Sequence, residues 1–475
     1  MKRYAAGVVL AFSFASVGCN DFLQGPGLTS SPNSAIEATP QQQLIAVQAN
    51  MATLLEGQLA RSAGIYTQQI IGSNNQQLQW ATQYQQSESD IPAFMGRFYT
   101  GAGLVGLRNI QEYGAANDRL LEGIAKVWEG LAFGTAASVW GDLPYSEALT
   151  AEVLTPALDP QQSIYTEVQT RLDEGIAALQ AAPTAGNCEI ADLIYCATTV
   201  TRAVQIARWI AAARTMKARF HLHLVERNGN AAYTAALAQA AQGILEAPTT
   251  ATQAIHGQAP GDFRMFHGST LDQDANIWYE FLNQRQDLVA GDAFIQILRT
   301  RGDPRLQAYF NANTTGQYTG HDVNNAVVGV APASTINTPV RRAPTFRQPI
   351  VTWAENQLIM AEANYVLNGA GAALPFVNAV RTAVGLPALG AVTFQDVMIE
   401  KYIAMFQNVD VWSDFKRTCT PTLAKYGSAT EIPGRLPYSS TERAANPNIP
   451  LPSAYPTGTT GPAPLRNWND PTPCP

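Results

Sequence analysis

Charge is scarce in this sequence, and basic clusters are scarcer still. Only 14% of the 475 residues are charged, and the formal net charge is −7. Proteins whose main task is to bind nucleic acid or an anionic membrane carry clustered basic residues. The one basic pair that stands out, Arg341-Arg342, is interpreted as an ordinary solvated pair, so these two functions are disfavoured.

The usual signatures of catalysis are also missing. The sequence has no GxSxG elbow, no HExxH zinc motif and no Walker loop, which removes the standard signs of nucleophilic, metal-assisted and phosphoryl chemistry. Histidines number only five. His221 and His223 stand two residues apart, so on a helix they face different directions and cannot share a metal ion. Each is interpreted as a helix-surface or satisfied core histidine. Paired carboxylates for glycoside cleavage stay open, because they need only be close in space.

Two partial ligand motifs are incomplete. The run from Gly101 to Gly106 matches GxGxxG, but a dinucleotide site also needs a preceding strand and a later acidic partner for the ribose. Helix-like sequence follows instead, so the run is interpreted as a glycine-rich turn that opens a helix. Residues 272–276 (DQDAN) imitate the start of a calcium loop, yet Ile277 and Asn283 replace the Gly and Glu that such a loop requires. We therefore expect no metal site and no cofactor, with calcium as the one alternative left open.

The N-terminus carries the marks of export. A charged head, Met1-Lys2-Arg3, precedes a short and mostly apolar run that ends at small residues, as in a secretory signal. Later in the sequence there is no run of about 18 uncharged apolar residues, the length that a membrane-spanning helix needs. The segment that ends at Cys19 resembles a bacterial lipobox, which implies removal of residues 1–18 and lipidation of Cys19. Residues 19–40 end in a stretch rich in Gly, Pro and Ser and predict a tether, with a globular domain over residues 41–475.

Four cysteines remain once Cys19 is set aside, an even number for an exported protein. Cys188 and Cys196 are close in sequence, so we predict a disulfide between them. A second disulfide then joins Cys419 to Cys474 and ties down a C-terminal tail. A metal site is the alternative, but no histidine accompanies either pair at the spacing of a zinc site.

The stretch from Gly123 to Ala148 gives the strongest structural signal. Apolar residues recur with helical spacing and stop at Gly141, a residue suited to a helix C-terminus. The segment 141–148 (GDLPYSEA) strongly resembles the GD-x-PYSEA signature of the SusD/RagB family of nutrient-binding outer-membrane lipoproteins. The resemblance implies structural roles for Gly141, Asp142, Pro144, Tyr145 and Glu147.

Further segments extend the resemblance from Cys19 to about Asn448. Asp303, Pro304 and Arg305 match the family's DPRL element, which implies a structural role for them as well. Other matching segments are 355–363 (ENQLIMAEA), 376–381 (FVNAVR), 399–417 and 435–448. The combination is specific where each piece alone would not be.

The resemblance implies a mainly α fold. Its tetratricopeptide-like helix pairs, the α-α superhelix of SusD-like proteins, would carry a loop-rich irregular portion. Helical periodicity supports the helix pairs, and Asp159 and Thr352 are predicted N-caps. Residues 248–349 are rich in Gly, Asn, Thr and Asp and predict the irregular portion, with one obvious helix around Asp292 to Leu298.

Aromatic residues in Gln-rich or Asn-rich surroundings are the candidates for ligand contact. Sugar rings pack their C–H faces on aromatic planes, while their hydroxyls need polar partners. The alternative for each ring is a core or loop anchor, and Trp128, Trp209 and Trp412 fit helical stripes and are predicted in the core. The ligand-binding candidates are Trp80, Tyr84, Trp278, Tyr279 and Tyr318.

These observations predict a binding protein and not an enzyme. The resemblance implies a lipid-anchored protein on the outer surface of the outer membrane that captures an oligosaccharide or a peptide. It also implies a SusC-type TonB-dependent transporter as partner, with this chain as its lid. Two other functions are kept as alternatives: a surface glycoside hydrolase or other degradative enzyme, and a structural or adhesive surface lipoprotein.

Overall fold

The computed structural model describes residues 38–84, 86–89, 94–196, 200–271, 274–325, 332–427, 429, 431–451 and 466–474. The predicted signal peptide, Cys19 and most of the predicted tether lie outside these residues. Asp272 and Gln273 of the calcium-like run also lie outside them. Within the described residues, no helix combines the length and the apolarity needed to cross a membrane.

The first half of the chain is built of helices, most of them long. Neighbouring helices pack as pairs, since α4 contacts α5, α5 contacts α6, and α7 contacts α9. The elements are α1 (Pro40–Ala52), a π-helical segment (Thr53–Gln58), α2 (Leu59–Tyr66), α3 (Asn75–Gln83), a 3-10 turn (Gly96–Phe98), α4 (Leu104–Asn117), α5 (Arg119–Trp140), α6 (Gln161–Ala181), α7 (Arg202–Leu222), α8 (Val225–Asn228) and α9 (Asn230–Ala240).

The second half mixes short helices with loops before long helices return. Its elements are α10 (Ala251–His256), α11 (Ile277–Gln284), α12 (Asp292–Thr300), α13 (Arg305–Tyr309), a 3-10 turn (Val323–Asn325), α14 (Trp353–Asn368), α15 (Ala370–Ala383), α16 (Phe394–Ala404), α17 (Asp410–Thr418) and α18 (Ser440–Ala445). Short strands pair antiparallel, β1 (Ile70–Gly72) with β3 (Leu288–Ala290) and β2 (Phe263–Arg264) with β4 (Pro349–Val351). The predicted mainly α fold of helix pairs with a loop-rich portion is confirmed.

The core is organised around α5. Every residue of this helix after the first is buried except Lys126, which requires neighbours on all sides. Glycines allow that close approach: a β-carbon at Gly130 would lie 2.7 Å from Leu172 of α6, and one at Gly134 would lie 2.3 Å from the Phe220 ring of α7. Helix contacts this tight leave no room for larger residues at these positions.

Several local predictions are confirmed. Thr352 caps α14 in a capping box with Glu355, and α4 begins at Leu104, directly after the glycine-rich turn. The aromatic residues predicted for the core are buried, namely Trp128, Trp209 and Trp412.

Residues 248–349 are less irregular than predicted. The expected helix is present as α12, but α10, α11 and α13 also form there. These helices have six, eight and five residues, which is too short for a repeating apolar stripe to be visible in the sequence.

Arg341 contradicts the interpretation of a solvated basic pair. Its side chain is only 1% exposed, and its guanidinium carbon lies 4.4 Å from the ring centre of Tyr309 and 5.3 Å from that of Phe346. Tyr309 lies in α13, far from Arg341 in sequence, whereas Phe346 follows five residues after it, and a cation can stack on such faces without water. The interpretation fails because the stacking partners are set by the tertiary fold.

Both predicted disulfides are present, and the pairing prediction is confirmed. One joins Cys188 to Cys196, eight residues apart, and the other joins Cys419 to Cys474, 55 residues apart. The second ties down residues 466–474, which we call the C-terminal strap.

The C-terminal strap is held by hydrogen bonds as well as by its disulfide. Asn467 Nδ2 donates to the carbonyl of Ser138 (2.8 Å), and Asn469 Nδ2 donates to the carbonyl of His223 (3.0 Å). Asp470 is buried and lies 3.4 Å from Lys416 Nζ. The strap is therefore part of the core that surrounds the end of α5.

Candidate functional site

The GDLPYSEA segment (141–148) joins the end of α5 to the start of α6 and to the C-terminal strap. Gly141 has φ of 83°, and a β-carbon there would lie 2.7 Å from Asn467 Oδ1. Both its backbone and its neighbour therefore favour glycine. Asp142 Oδ1 accepts the N–H of Gln161, the first residue of α6, at 2.8 Å. Burial raises the pKa of Asp142.

Asp159 does not cap α6 as predicted. The helix begins at Gln161 with Pro160 before it, and the Asp159 carboxylate turns to the GDLPYSEA segment. Oδ2 accepts the N–H groups of Tyr145 and Ser146, each at 2.8 Å. The N-cap prediction is wrong because the partners of this carboxylate lie 14 and 13 residues earlier, beyond any local pattern.

The remaining members of the segment also bond to their surroundings. The Tyr145 hydroxyl donates to Glu129 Oε1 at 2.6 Å, and burial raises the pKa of Tyr145 so that it stays protonated. Glu147 Oε2 accepts the N–H of Ala157 at 2.8 Å, and Pro144 is buried. Contacts of this kind hold a backbone in place and give the segment no evident chemistry.

Asp303 and Arg305 form a buried ion pair that Glu400 of α16 completes. Arg305 Nη2 lies 2.7 Å from Asp303 Oδ2 and also contacts Glu400 Oε1. The three side chains are at most 1% exposed, and Pro304 between the first two is half-buried. The DPRL element thus anchors α13 to α16.

Trp80 and Tyr84, two of the predicted ligand contacts, lie in the core. They are 2% and 5% exposed. The Tyr84 ring stacks on Tyr426 with centres 5.9 Å apart, and its hydroxyl oxygen accepts a hydrogen bond from Gln68 Nε2 at 2.9 Å. Their burial contradicts the prediction of a sugar platform, because Trp80 and Tyr84 point into the core although Gln76 and Gln79 of the same helix are exposed.

The other three predicted rings are not assembled into one surface either. Trp278 is fully buried in α11, which contradicts its prediction as a ligand contact. Its helix starts there because Asn276 Oδ1 accepts the N–H of Trp278 at 2.9 Å and caps α11. Tyr279 and Tyr318 are half-buried, and they stay predictions.

A cleft of about 340 Å³ opens beside the start of the domain. We call it the α1 cleft. One wall is formed by α1 and by Thr53, the first residue of the π-helical segment. The other wall consists of Leu193, residues 265–268, Asp274, Ala275 and Ile277. Its volume falls in the range of roughly 300–1,000 Å³ that is usual for small-ligand sites.

Phe266 is the aromatic residue of this cleft and is 45% exposed. Its backbone N–H donates to the carbonyl of Leu193 at 2.9 Å, which fixes the loop that carries the ring. A large exposed apolar side chain needs no explanation when it stands alone. Here it lines a cleft next to Asp274 and His267, so one aromatic face and polar groups converge on the same space.

His267, in the wall of the α1 cleft, forms a buried pair with Glu56. His267 Nε2 lies 2.8 Å from Glu56 Oε2, and the two side chains are 5% and 0% exposed. Burial raises the pKa of Glu56, and the nearby imidazole opposes that rise. The pair brings together residues 211 positions apart.

Few features of the sequence point to these residues. Phe266 and His267 follow one another in a loop, where no stripe marks them as core. The one available signal was that Phe266 is an aromatic residue outside any helical stripe. That signal does not distinguish a ring that lines a cleft from a ring that anchors a loop. The partner of His267 could not be found at all without the fold.

Metal binding finds no support in the described part of the chain, where no group of three or more His, Cys, Asp or Glu side chains is placed to hold an ion. Asp274 of the calcium-like run lines the α1 cleft. His223 is buried and lies 2.9 Å from Asp410 and 3.0 Å from the Tyr165 hydroxyl. The expectation of no metal and no cofactor stays a prediction.

Comparisons with known proteins agree with this fold. The profile of the SusD-like family described as starch-binding and associating with the outer membrane matches residues 32–439. No curated protein sequence matches the chain.

Solved structures of similar fold cover most of the chain. A chitin-binding SusD homolog from Flavobacterium johnsoniae is 16% identical with a TM-score of 0.74, and the match covers 91% of this chain and 99% of that one. A protein described as chitin-binding is 22% identical with a TM-score of 0.71, over 91% of this chain and 100% of the other. A SusD/RagB family protein from Bacteroides thetaiotaomicron is 21% identical with a TM-score of 0.64, over 87% and 95%. At these identities the likeness shows the fold.

Proposed function

We infer that this chain, which belongs to the SusD-like family, captures a saccharide at the cell surface and is a binding protein, not an enzyme. The family is described as starch-binding and associating with the outer membrane, and two solved proteins of the same fold are described as chitin-binding. An oligosaccharide is therefore the proposed ligand, with a peptide as the alternative.

The observation that carries this proposal is the α1 cleft. Phe266 offers an exposed aromatic face, and Asp274 and His267 line the same space. Saccharides need this combination, because their C–H faces pack on aromatic rings while their hydroxyls must find hydrogen-bond partners. The polar side chains of the GDLPYSEA segment, by contrast, already serve the fold.

Delivery is the second part of the proposal. Cys19 would be lipidated and hold the chain on the outer surface of the outer membrane, and the chain would close as a lid over a SusC-type TonB-dependent transporter. A lid that bears part of the ligand site links ligand binding to closure, since a ligand that prefers the closed state shifts the population toward it. Recovery of a transporter of this type with the wild-type protein from gently solubilised native membranes would support the lid. Its absence would contradict it.

Ligand capture is tested by calorimetric titration of the full chain carrying Cys19→Ala, which should be released from the membrane. The panel is starch-derived oligosaccharides, oligomers of N-acetylglucosamine and mixed oligopeptides. Saturable binding of a saccharide without its cleavage supports the proposal. Binding of peptides alone would replace the saccharide, and turnover of any panel member would revive the enzymatic alternative.

A further inference from the structure

The imidazole of His267 uses its two nitrogens unequally. Nε2 is hydrogen-bonded to Glu56, whereas Nδ1 has no hydrogen-bond partner among the residues that the structure describes, and His267 is one of the residues that line the α1 cleft. A polar ring atom in the wall of a cleft is therefore left for whatever occupies the cleft. A ligand with one group near His267 could complete its hydrogen bonding.

Glu56 determines whether His267 Nδ1 is a donor or an acceptor of hydrogen bonds. The carboxylate is fully buried, and its oxygen Oε1 has no hydrogen-bond partner in the described part of the chain. When Glu56 is ionised, its carboxylate can only accept a hydrogen bond, so its 2.8 Å contact with Nε2 favours the tautomer that carries the proton on Nε2. In the neutral ring, Nδ1 is then an acceptor, so it fits a hydroxyl or amide N–H and not another acceptor.

The backbone supports this arrangement. Glu56 lies in the π-helical segment, where Gly57 leaves helical geometry with φ of −89° and ψ of −111°. An extra residue in a helical turn rotates the following side chains relative to a regular α-helix, and such turns are frequent at functional sites. In this irregular turn, Thr53 lines the cleft and Glu56 contacts the imidazole of His267.

The charges around the cleft select against anions. None of the described residues that line it is a lysine or an arginine, while Asp274 is an exposed lining carboxylate. Arg347 lies behind the wall, and its guanidinium donates to the carbonyls of Ile194 and Arg264. A uronate or sulfate group would thus lose water without gaining a cationic partner.

We propose that His267 Nδ1 accepts a hydrogen bond from a hydroxyl or amide N–H of an uncharged oligosaccharide that stacks on Phe266, with Glu56 as the positioning residue that fixes the imidazole. The inference rests on the proposed function and names the substrate class and one recognition atom. It predicts that oligosaccharides built of uronic acids bind poorly or not at all.

The test uses calorimetric titration of the full chain carrying Cys19→Ala with neutral oligosaccharides of glucose and of N-acetylglucosamine, and with oligouronates of equal length. His267→Gln keeps an N–H for Glu56 but places no acceptor at the Nδ1 position, so it should weaken binding of the neutral ligand roughly 5- to 10-fold, as expected for one hydrogen bond. His267→Asn places an amide near the Nδ1 position and should retain more affinity. Phe266→Ala should also weaken binding, whereas His221→Gln, which changes a histidine outside the cleft, should not.

The role of Glu56 is tested by measuring the tautomer of the His267 imidazole. In protein with ¹⁵N-labelled histidine, the nitrogen shifts of His267 should show the Nε2–H tautomer, and ligand should shift Nδ1. Glu56→Gln, which keeps the size of the side chain, should increase the other tautomer. A purely structural Glu56 would leave the tautomer unchanged.

The outcomes separate the two proposals. If neutral saccharides bind but His267→Gln and Phe266→Ala bind them as the wild type does, this inference is overturned and the proposed function stands. Equal or tighter binding of oligouronates overturns the assigned substrate class. If no saccharide binds at all, the proposed function fails, and the inference fails with it.

Discussion

The two disulfides should differ in their contribution to stability, and the difference can be worked out from the chain. In the loop-entropy description, a cross-link removes freedom from the unfolded chain in proportion to the logarithm of the loop it closes. Cys188–Cys196 spans eight residues and Cys419–Cys474 spans 55. These separations give about 2.5 kcal/mol for the first and about 4 kcal/mol for the second.

The comparison needs two double variants, Cys188→Ala with Cys196→Ala and Cys419→Ala with Cys474→Ala. Free energies of unfolding are measured in urea at one pH and temperature, with tryptophan fluorescence as the signal. We expect the second variant to lose about 1.5 to 2 kcal/mol more than the first. An equal loss, or a larger loss for the shorter loop, would refute the reasoning.

The C-terminal strap provides a second readout of the same perturbation. Asn467 and Asn469 hydrogen-bond to the core independently of the disulfide, so we expect the strap to stay docked under native conditions when the disulfide is removed. Limited proteolysis should then cut the strap no faster in the variant that lacks Cys419 and Cys474 than in the wild type. Rapid cutting would show that the disulfide holds the native strap and that its effect is not confined to the unfolded chain.

Three further predictions concern charge and anchoring. Glu400→Gln should destabilise the protein by about 3–5 kcal/mol in urea unfolding, because it leaves Arg305 with Asp303 alone and removes the carboxylate that pairs with buried Arg381. Glu246→Gln, in the more exposed pair with Arg208, should lose less than about 1 kcal/mol. Similar losses would contradict the burial argument. Burial raises the pKa of Asp262 from 3.8 to about 7, so the folded state keeps a proton that the unfolded state releases, and the free energy of unfolding should fall as pH rises from about 4 to 7. Asp262→Asn should reduce that fall, and an unchanged slope would assign it to other groups. Cys19→Ala should move the protein from the membrane fraction to the soluble fraction, and retention would count against lipid anchoring.

Helices and their ends could be predicted because their causes are local. Thr352 and Glu355 cap each other within one turn, and the positive φ of Gly141 needs only the residue itself. Prediction from local patterns is limited for the same reason, since Asp159 resembles an N-cap but bonds to residues 13 and 14 positions away. The sequence pattern likewise predicted that Arg341 is a surface cation. That prediction is wrong because the fold brings the aromatic partners of Arg341 together.

Amide-rich surroundings gave the wrong indication of exposure at the predicted ligand contacts. A glutamine can be buried when its amide finds partners, and Gln68 and Gln69 do so through the Tyr84 hydroxyl and the carbonyl of Tyr402. Polar neighbours in sequence therefore do not establish that a ring is in contact with water. That distinction separates Tyr84, which is 5% exposed, from Phe266, which is 45% exposed.

The α1 cleft shows why a candidate binding site is harder to predict than the helices that frame it. Its buried pair joins Glu56, in an irregular helical turn, to His267, in a loop 211 residues later. Neither residue is unusual in its own segment. The proposed role needs an imidazole with one nitrogen bonded and the other without a partner among the described residues, and that arrangement exists only when the two residues meet. Helical periodicity indicates which residues face the core. A hydrogen bond between distant segments, however, produces no repeating pattern in the sequence. A prediction of ligand chemistry from a single sequence must therefore rely on motifs, and here the motifs, GDLPYSEA and DPRL, serve the fold.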